Sequence, residues 1–434
     1  MNLRKTVLKG IKWTTLSTII IALCALFKIS FLTRFLDKND FGSIALLMFF
    51  LTFSELFNDM GLTSAILYKR EITKNEYSSL YWLNLSVSIV LYLALLAFSP
   101  FLSNFYNQSS LTSYISIIGL SIIFSGFGRQ FKVVEQKYFF FKTISLIETF
   151  GAVISLLSAV LFAYLNYGIY ALIYSYILQY FFVNVFFVLF GLKKHKIHLY
   201  FRFKETIPFL KIGIYQVGGQ IVNYFNRDLD ILIIGKCFGA DILGGYSLAK
   251  QLVYKPAQII NPIITKVASP SLALFQNSKL ELKKQYLKLV NIVFVINLLA
   301  YSGVFVFSPF LVKFLYGSDY LEVVTIIRVL CFYMLLRAIG NPVGSLVIAT
   351  GKTNLEFFWN LIVLVVIPIF IIAGVNYGIY QTTIFMTMSM VFLFWPSWYF
   401  LIRKMTGASL KEYLTVLNPL GVFPLLLTIK NVKD

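Results

Sequence analysis

Phe98-Ser-Pro-Phe-Leu102 and Phe307-Ser-Pro-Phe-Leu311 are the same five residues, 209 positions apart. A second pentapeptide, Asn-Tyr-Gly-Ile-Tyr, stands at Asn166–Tyr170 and again at Asn376–Tyr380, 210 positions apart. Apolar bias alone does not produce two matches in one order at nearly one spacing, so the chain reads as two related halves. Lys142-Thr143 and Lys352-Thr353 keep the 210 spacing. At an offset of 202, Arg34, Gly42 and Ser43 correspond to Lys236, Gly244 and Gly245. The drift from 202 to 209 implies about seven extra residues in the second half, expected in a longer loop after Lys266.

The composition places both halves in a bilayer. Hydrophobic residues make up 59% of the 434 and charged residues 13%, against about 25% charged in a soluble globule. The mean hydropathy is +0.79. A membrane helix needs about 20 apolar residues, and twelve such stretches are legible. They lie at about 14–36, 41–60, 78–100, 111–128, 144–165, 169–192, 213–236, 243–265, 286–307, 322–349, 356–374 and 379–402. The fold class is therefore an all-α polytopic membrane protein of about 12 transmembrane helices in two pseudo-symmetric six-helix lobes. With an even number of spans per half, both halves run in the same direction, which is a parallel repeat of the kind transporters use. The lobes are expected at 1–203 and 204–405, joined through the basic stretch Leu192–Phe209. Residues 406–434 form a C-terminal cytoplasmic or interfacial segment, too short and broken by Pro419, Gly421 and Pro424 to favour a thirteenth span. The first span follows Arg4, Lys5, Lys9 and Lys12 and is too long for a signal-peptide core, so it is expected to remain as a helix.

A net charge of +20 suggests nucleic acid until the charges are placed. Alternate loops hold almost all of them: the N-terminus, Lys69–Lys74, Arg129–Lys142, Lys193–Lys211, Lys266–Lys288 and the region after Arg403. The opposite loops have only Lys38 and Lys313. By the positive-inside rule this sets a topology with both termini cytoplasmic, and no nucleic-acid partner is implied. Cys24, Cys237 and Cys331 fall in or beside apolar spans, so no disulfide framework is suggested. His195 and His198 lack Cys or carboxylate companions, so neither a metal nor a cofactor is expected. Gly351-Lys352-Thr353 has Leu346 where a phosphate loop needs glycine.

Ionisable groups within spans are costly and usually face a cavity or a partner. Lys28 sits near the middle of the first span, and at the 202 offset it matches Asp230 in the seventh, beside Asn226, Arg227 and Asp228. These groups are expected at similar depth, either as an ion pair of Lys28 with Asp228 or Asp230, or as a cationic site for an anionic headgroup. Lys250 and Lys255 on the eighth span, followed by Pro256 and Pro262, suggest a kinked cavity-lining helix. Arg337 on the tenth belongs to the same candidate set. Arg34, Lys236 and Arg328 lie near helix ends, where long side chains reach the interface. Glu55 and Asp59, four residues apart on one helix face, are candidates for a coupling proton or cation, or for pairing with Lys69, Arg70 or a neighbouring span. Asp228 and Asp230 are the second such set.

Four stretches carry a family resemblance: RFLDKNDFGSIA from Arg34, DMGLTSAILYKREITKNEYSSLYWLN from Asp59, DILIIGKCFGADILGGYSLAK from Asp230 and NPIITKVASP from Asn261. Over about residues 5 to 405 the chain resembles the Wzx-type polysaccharide and O-antigen repeat-unit flippases of the multidrug/oligosaccharidyl-lipid/polysaccharide exporter superfamily. The colanic-acid and teichuronic-acid exporter branch is the nearest. The resemblance implies transport of undecaprenyl-pyrophosphate-linked oligosaccharide from the cytoplasmic to the outer leaflet of the bacterial inner membrane by alternating access through a cationic cavity. It implies no catalysis. Carried over by position, that cavity points to Lys28, Arg227, Lys250 and Lys255. Implied partners are the lipid-linked oligosaccharide, membrane lipids, and a polysaccharide polymerase with its chain-length regulator. A cation-coupled multidrug exporter of the same superfamily, which couples through carboxylates on the first or seventh helix, is the nearest alternative: the first helix here has Lys28 instead, while Asp228 and Asp230 on the seventh keep that reading open. A membrane polymerase or acyltransferase would want a large external loop or a surface histidine, and the chain has neither.

Overall fold

The computed structural model describes residues 3–69 and 71–418. The described chain is helical almost throughout and has no strand. The first half comprises α1 (Leu3–Leu32), α2 (Lys38–Asp59), α3 (Leu62–Tyr68), α4 (Lys74–Tyr106), α5 (Ser110–Ile118), α6 (Leu120–Lys137), α7 (Phe141–Tyr164) and α8 (Tyr170–Lys194). Then come α9 (Phe203–Ala273), α10 (Lys279–Leu315), α11 (Val323–Gly340), α12 (Pro342–Thr350), α13 (Thr353–Val375), α14 (Ile379–Ser397), α15 (Arg403–Thr406) and α16 (Leu410–Thr415). Trp398–Ile402 is a π-helical turn between α14 and α15.

Among the described residues, eleven helices or helix pairs are long and apolar enough to cross a membrane. One of these, Gln216–Pro262, has 47 residues. At 1.5 Å per residue it would run about 70 Å, more than twice the ~30 Å of hydrocarbon. It breaks at Gly239, where φ 80 and ψ 179 leave the helical region. Two spans thus meet there, and the twelve expected crossings are present. Gly239, rather than Pro256 or Pro262, carries the non-helical dihedrals. Its counterpart 202 residues earlier is Asp37, the N-cap of α2, whose side chain accepts from the Asp40 amide.

The repeated pentapeptides have a physical basis. Pro100 and Pro309 lie inside α4 and α10, where proline removes the donor that would bond the carbonyl four residues back. In α4 that carbonyl belongs to Leu96, and Ser99 Oγ donates to it at 2.8 Å. In α10 it belongs to Phe305, and Ser308 Oγ donates to it at 2.8 Å. Both serines are fully buried. The second repeat makes the turn from α7 into α8 and from α13 into α14. Gly168 and Gly378 both take positive φ there, 56° and 100°.

The extra residues of the second half do not lie in a loop, contrary to expectation. Lys38–Tyr68 covers 31 residues, while its counterpart runs from 240 to 273. The connections that follow, 69–73 and 274–278, are of equal length. α4 has 33 residues and α10 has 37. Three or four residues are about one helical turn, so each helix takes up its share without turning its apolar face away from its neighbours.

The chain forms two compact units. Unit 1 contains the chain through Tyr224, with Phe238–Gly244 and Phe314–Gly317. Unit 2 contains Phe225–Cys237, Gly245–Lys313 and, of the described residues, 318–418. In unit 1, α7 packs against α1 and α8, and α6 against α4 and α8. Leu62, Ala65, Ile66, Leu80, Val133 and Phe209 make one of its buried clusters. In unit 2, α14 packs against α11 and α13. Its core gathers Tyr286, Leu346, Trp398, Ile402 and Tyr413. The segment expected at 406–434 is described only as far as 418. It begins with α16, and the question of a thirteenth span lies outside the described residues.

Candidate functional site

Each unit has its own polar centre. In unit 2 it is built on the seventh span and the start of the helix after Gly239. Lys250 Nζ lies 2.7 Å from Asp230 Oδ1 and 3.0 Å from Asp228 Oδ1, and also donates to the Arg227 carbonyl at 2.7 Å. Asp228 in turn accepts from the Arg227 guanidinium at 2.7 Å. Asp230 also accepts from the Tyr246 hydroxyl. Lys250 and Asp230 are buried, whereas Arg227 keeps 47% of its side chain exposed. Two carboxylates thus balance the two cations at 227 and 250. Only about 10 Å³ of free space lies beside Arg227, Asp230 and Tyr333, roughly enough for one water.

Arg337 stands apart from this balance. Its guanidinium donates to the hydroxyls of Tyr254 at 3.2 Å and Tyr333 at 3.1 Å, and it lies over the Tyr254 ring. Among the described residues no carboxylate pairs with it. Lys255, half-buried, has neither a hydrogen bond nor an ion pair there.

In unit 1, Lys28 donates to Ser155 Oγ on α7 at 3.0 Å and has no carboxylate partner among the described residues. The ion-pair alternative for Asp228 and Asp230 is met by Lys250 instead. Glu55 and Asp59 both face Arg129, at 3.4 and 3.7 Å. Their helix stops at Asp59, because Met60 and Gly61 take positive φ. Across this turn Asp59 accepts from Thr63 Oγ1. Lys69, offered above as a partner for these acids, pairs with Glu76 at 2.5 Å.

The apolar run ends near residue 128, so by sequence alone Arg129 and Lys132 fall in a loop. The helix continues to Lys137, held by Lys194 on the buried Glu135 at 2.8 and 2.9 Å and by Lys137 on the Lys69 carbonyl at 2.6 Å. Arg129 therefore reaches inward to Ser125, Glu55 and Asp59, and Lys132 pairs with Glu148 at 2.5 Å. A polar periodicity of three to four through Ser125, Arg129, Lys132 and Gln136 is the signal that could have shown it. These residues line a cavity of about 550 Å³ with Gln179, Tyr180 and Asn184 of α8. No group of side chains suited to a metal ion occurs among the described residues.

A twelve-span membrane protein of two repeats, with ion-paired and unpaired charges buried in its spans, has the construction of a transporter. Residues 31–325 match the polysaccharide biosynthesis protein family, and the chain belongs to that family. It is 28% identical over 415 residues to the lipopolysaccharide biosynthesis protein WzxC of Escherichia coli, covering 95% of this chain and 84% of that one. It is 27% identical to the teichuronic acid biosynthesis protein TuaB of Bacillus subtilis, covering 87% and 78%. The succinoglycan biosynthesis transport protein ExoT of Rhizobium meliloti is 23% identical over 369 residues, covering 82% and 72%. The family expected from the four sequence stretches is the family found, and the chain is a membrane transport protein of polysaccharide biosynthesis rather than an enzyme. Among solved structures, the lipid II flippase MurJ in an inward closed conformation superposes with TM-score 0.76 at 15% identity, over 97% of this chain and 92% of that one. An inward-facing multidrug resistance MATE transporter superposes with TM-score 0.74 at 12% identity, over 92% and 98%. These two share the fold.

Proposed function

We propose that this protein carries an undecaprenyl-pyrophosphate-linked oligosaccharide from the cytoplasmic to the outer leaflet of a bacterial inner membrane, by alternating access of two lobes, 1–203 and 204–405, with both termini cytoplasmic. The supporting observation is that Lys28, Lys255 and Arg337 lie in apolar spans with no carboxylate partner among the described residues. A cation in hydrocarbon costs about 2.5–3.5 kcal/mol on insertion scales, and an anionic ligand that must cross offsets that cost. A pyrophosphate is such a ligand. Membership of the polysaccharide biosynthesis family, and a fold shared with a protein named as a lipid II flippase, support the same reading.

In this reading Lys28, Lys255 and Arg337 meet the phosphates. Arg227 and Lys250 join them only when their aspartates let go, which makes Asp228 and Asp230 gating groups. Glu55 and Asp59, held by Arg129, are the matching pair in unit 1. The polyprenyl tail stays in lipid. Outward movement of negative charge gains about 2.3 kcal/mol per charge per 100 mV, so the membrane potential drives export. A polymerase and a chain-length regulator would take the product.

The test is export in cells whose own copy is deleted, restored with wild type, Lys28→Ala or Arg227→Ala at matched expression. Loss of surface polysaccharide with build-up of the lipid-linked intermediate is expected in both variants. Normal export in both would remove the cationic path.

A further inference from the structure

None of Lys28, Arg227, Lys250, Lys255 and Arg337 lines the cavity of about 550 Å³ in unit 1. It lies among α1, α2, α3, α6, α7 and α8, lined by Glu55, Asp59, Arg129, Gln136, Gln179 and Tyr180 among others. We propose that it receives sugar rings of the transported glycan and so reads which glycan is carried. The inference rests on the carrier reading above and adds the recognition site for the uncharged part of the load.

Charge excludes the alternatives. Three carboxylates, Glu55, Asp59 and Glu148, and two cations, Arg129 and Lys132, face this space, and that net negative charge disfavours a pyrophosphate. Each carboxylate already has a cation within 4 Å: Arg129 at 3.4 and 3.7 Å, and Lys132 at 2.5 Å. An incoming metal ion would have to displace them. A neutral polyol needs neither change. The volume agrees, since an ion or a water needs only about 10–15 Å³ of such space, while small-molecule sites run to roughly 300–1,000 Å³.

The lining also has unused capacity. The side-chain amides of Gln136 and Gln179 have no hydrogen-bond partner among the described residues, although both face the cavity. Each offers a carbonyl acceptor and two donors, a planar pair that suits neighbouring hydroxyls on a sugar ring. Arg129 and the carboxylates present the same kind of planar fork. Tyr180 supplies an apolar ring face and is braced by Tyr176, with ring centroids 4.6 Å apart. Forked polar groups beside an aromatic face match a pyranose, which has polar edges and an apolar face.

The experiment uses the full chain in lipid nanodiscs and, as probe, oligosaccharides made by partial acid hydrolysis of the host's own surface polysaccharide. Saturation-transfer NMR should show sugar binding to wild type. Gln179→Leu, of similar volume, should weaken it about tenfold, as expected for one or two lost hydrogen bonds. Leu199→Ala, on the exposed connector, should leave it unchanged, and size-exclusion profiles check that each variant folds. No transfer with wild type, or equal affinity in Gln179→Leu, overturns the proposal. Sodium-23 line broadening that Glu55→Gln abolishes, without sugar transfer, overturns it in favour of a cation site. Wild-type export in the deleted cells separates the two readings. Export without sugar binding sinks the cavity proposal alone, and sugar binding without export sinks the carrier reading alone.

Discussion

Lys250 and Asp230 form a buried ion pair, with Nζ and Oδ1 2.7 Å apart and 6% and 3% of the two residues exposed. A second carboxylate, Asp228, shares the ammonium at 3.0 Å, so this charge is part of the structure before any substrate arrives. Breaking a buried pair from one side leaves an uncompensated charge and costs about 3–5 kcal/mol, whereas removing both charges is far milder. Lys250→Met should therefore lower thermal stability sharply, read by fluorescence-detected size exclusion after heating. Lys250→Met combined with Asp230→Asn should recover most of the loss, because Asp228 keeps Arg227.

Gly239 takes φ 80 and ψ 179, a region open almost only to glycine and worth about 1–3 kcal/mol of strain to another residue. Gly239→Ala should destabilise the protein by that amount in the same heating assay. Gly218 lies earlier in the same helix, with nothing near where a Cβ would stand. There the sign should reverse, with Gly218→Ala stabilising by about 0.5–1 kcal/mol.

The spans were legible because hydropathy and length suffice to define them, and the repeat fixed which residues correspond. Helix ends were less legible. Arg129 and Lys132 looked like loop residues because their charge ends the apolar run, yet backbone bonding carries α6 on to Lys137. Partner choice was not legible at all. The 202 offset gives Lys28 and Asp230 equivalent places in the repeat, but a pair also depends on helix rotation and on the neighbouring helix. Lys28 faces Ser155 on α7, and Asp230 is taken by Lys250, twenty residues further along the chain. The unit 1 cavity needed residues from six helices, a grouping that spacing along one chain cannot reveal.

Ser99 and Ser308 do the same work in different units, so their contributions should add. Each donates to a carbonyl that proline leaves without its usual donor, a bond worth about 0.5–1.5 kcal/mol. Ser99→Ala and Ser308→Ala should each lower stability by that amount in denaturant unfolding. The double variant should equal their sum within about 0.5 kcal/mol, as for independent sites.

Acid should loosen the end of the described chain. Glu412 accepts from Lys283 at 2.7 Å and from the backbone of Ser409 at 2.7 Å, closing a capping box at the start of α16. The Lys283 and Ser409 hydrogen bonds hold its carboxyl at about 2, below the usual 4.5. A carboxyl depressed in the folded state contributes in full above its unfolded value and loses that contribution as pH falls through the folded one. The attachment of α16 to α10 should thus be intact at pH 7 and weaken between about pH 4.5 and 2. The hydrogen-exchange protection of residues 410–416, taken against the intrinsic rate at each pH, should fall across that window in wild type. In Glu412→Gln protection should be lower at pH 7 and the acid-induced loss of protection should vanish. A step of unchanged size in Glu412→Gln would place the titrating group elsewhere.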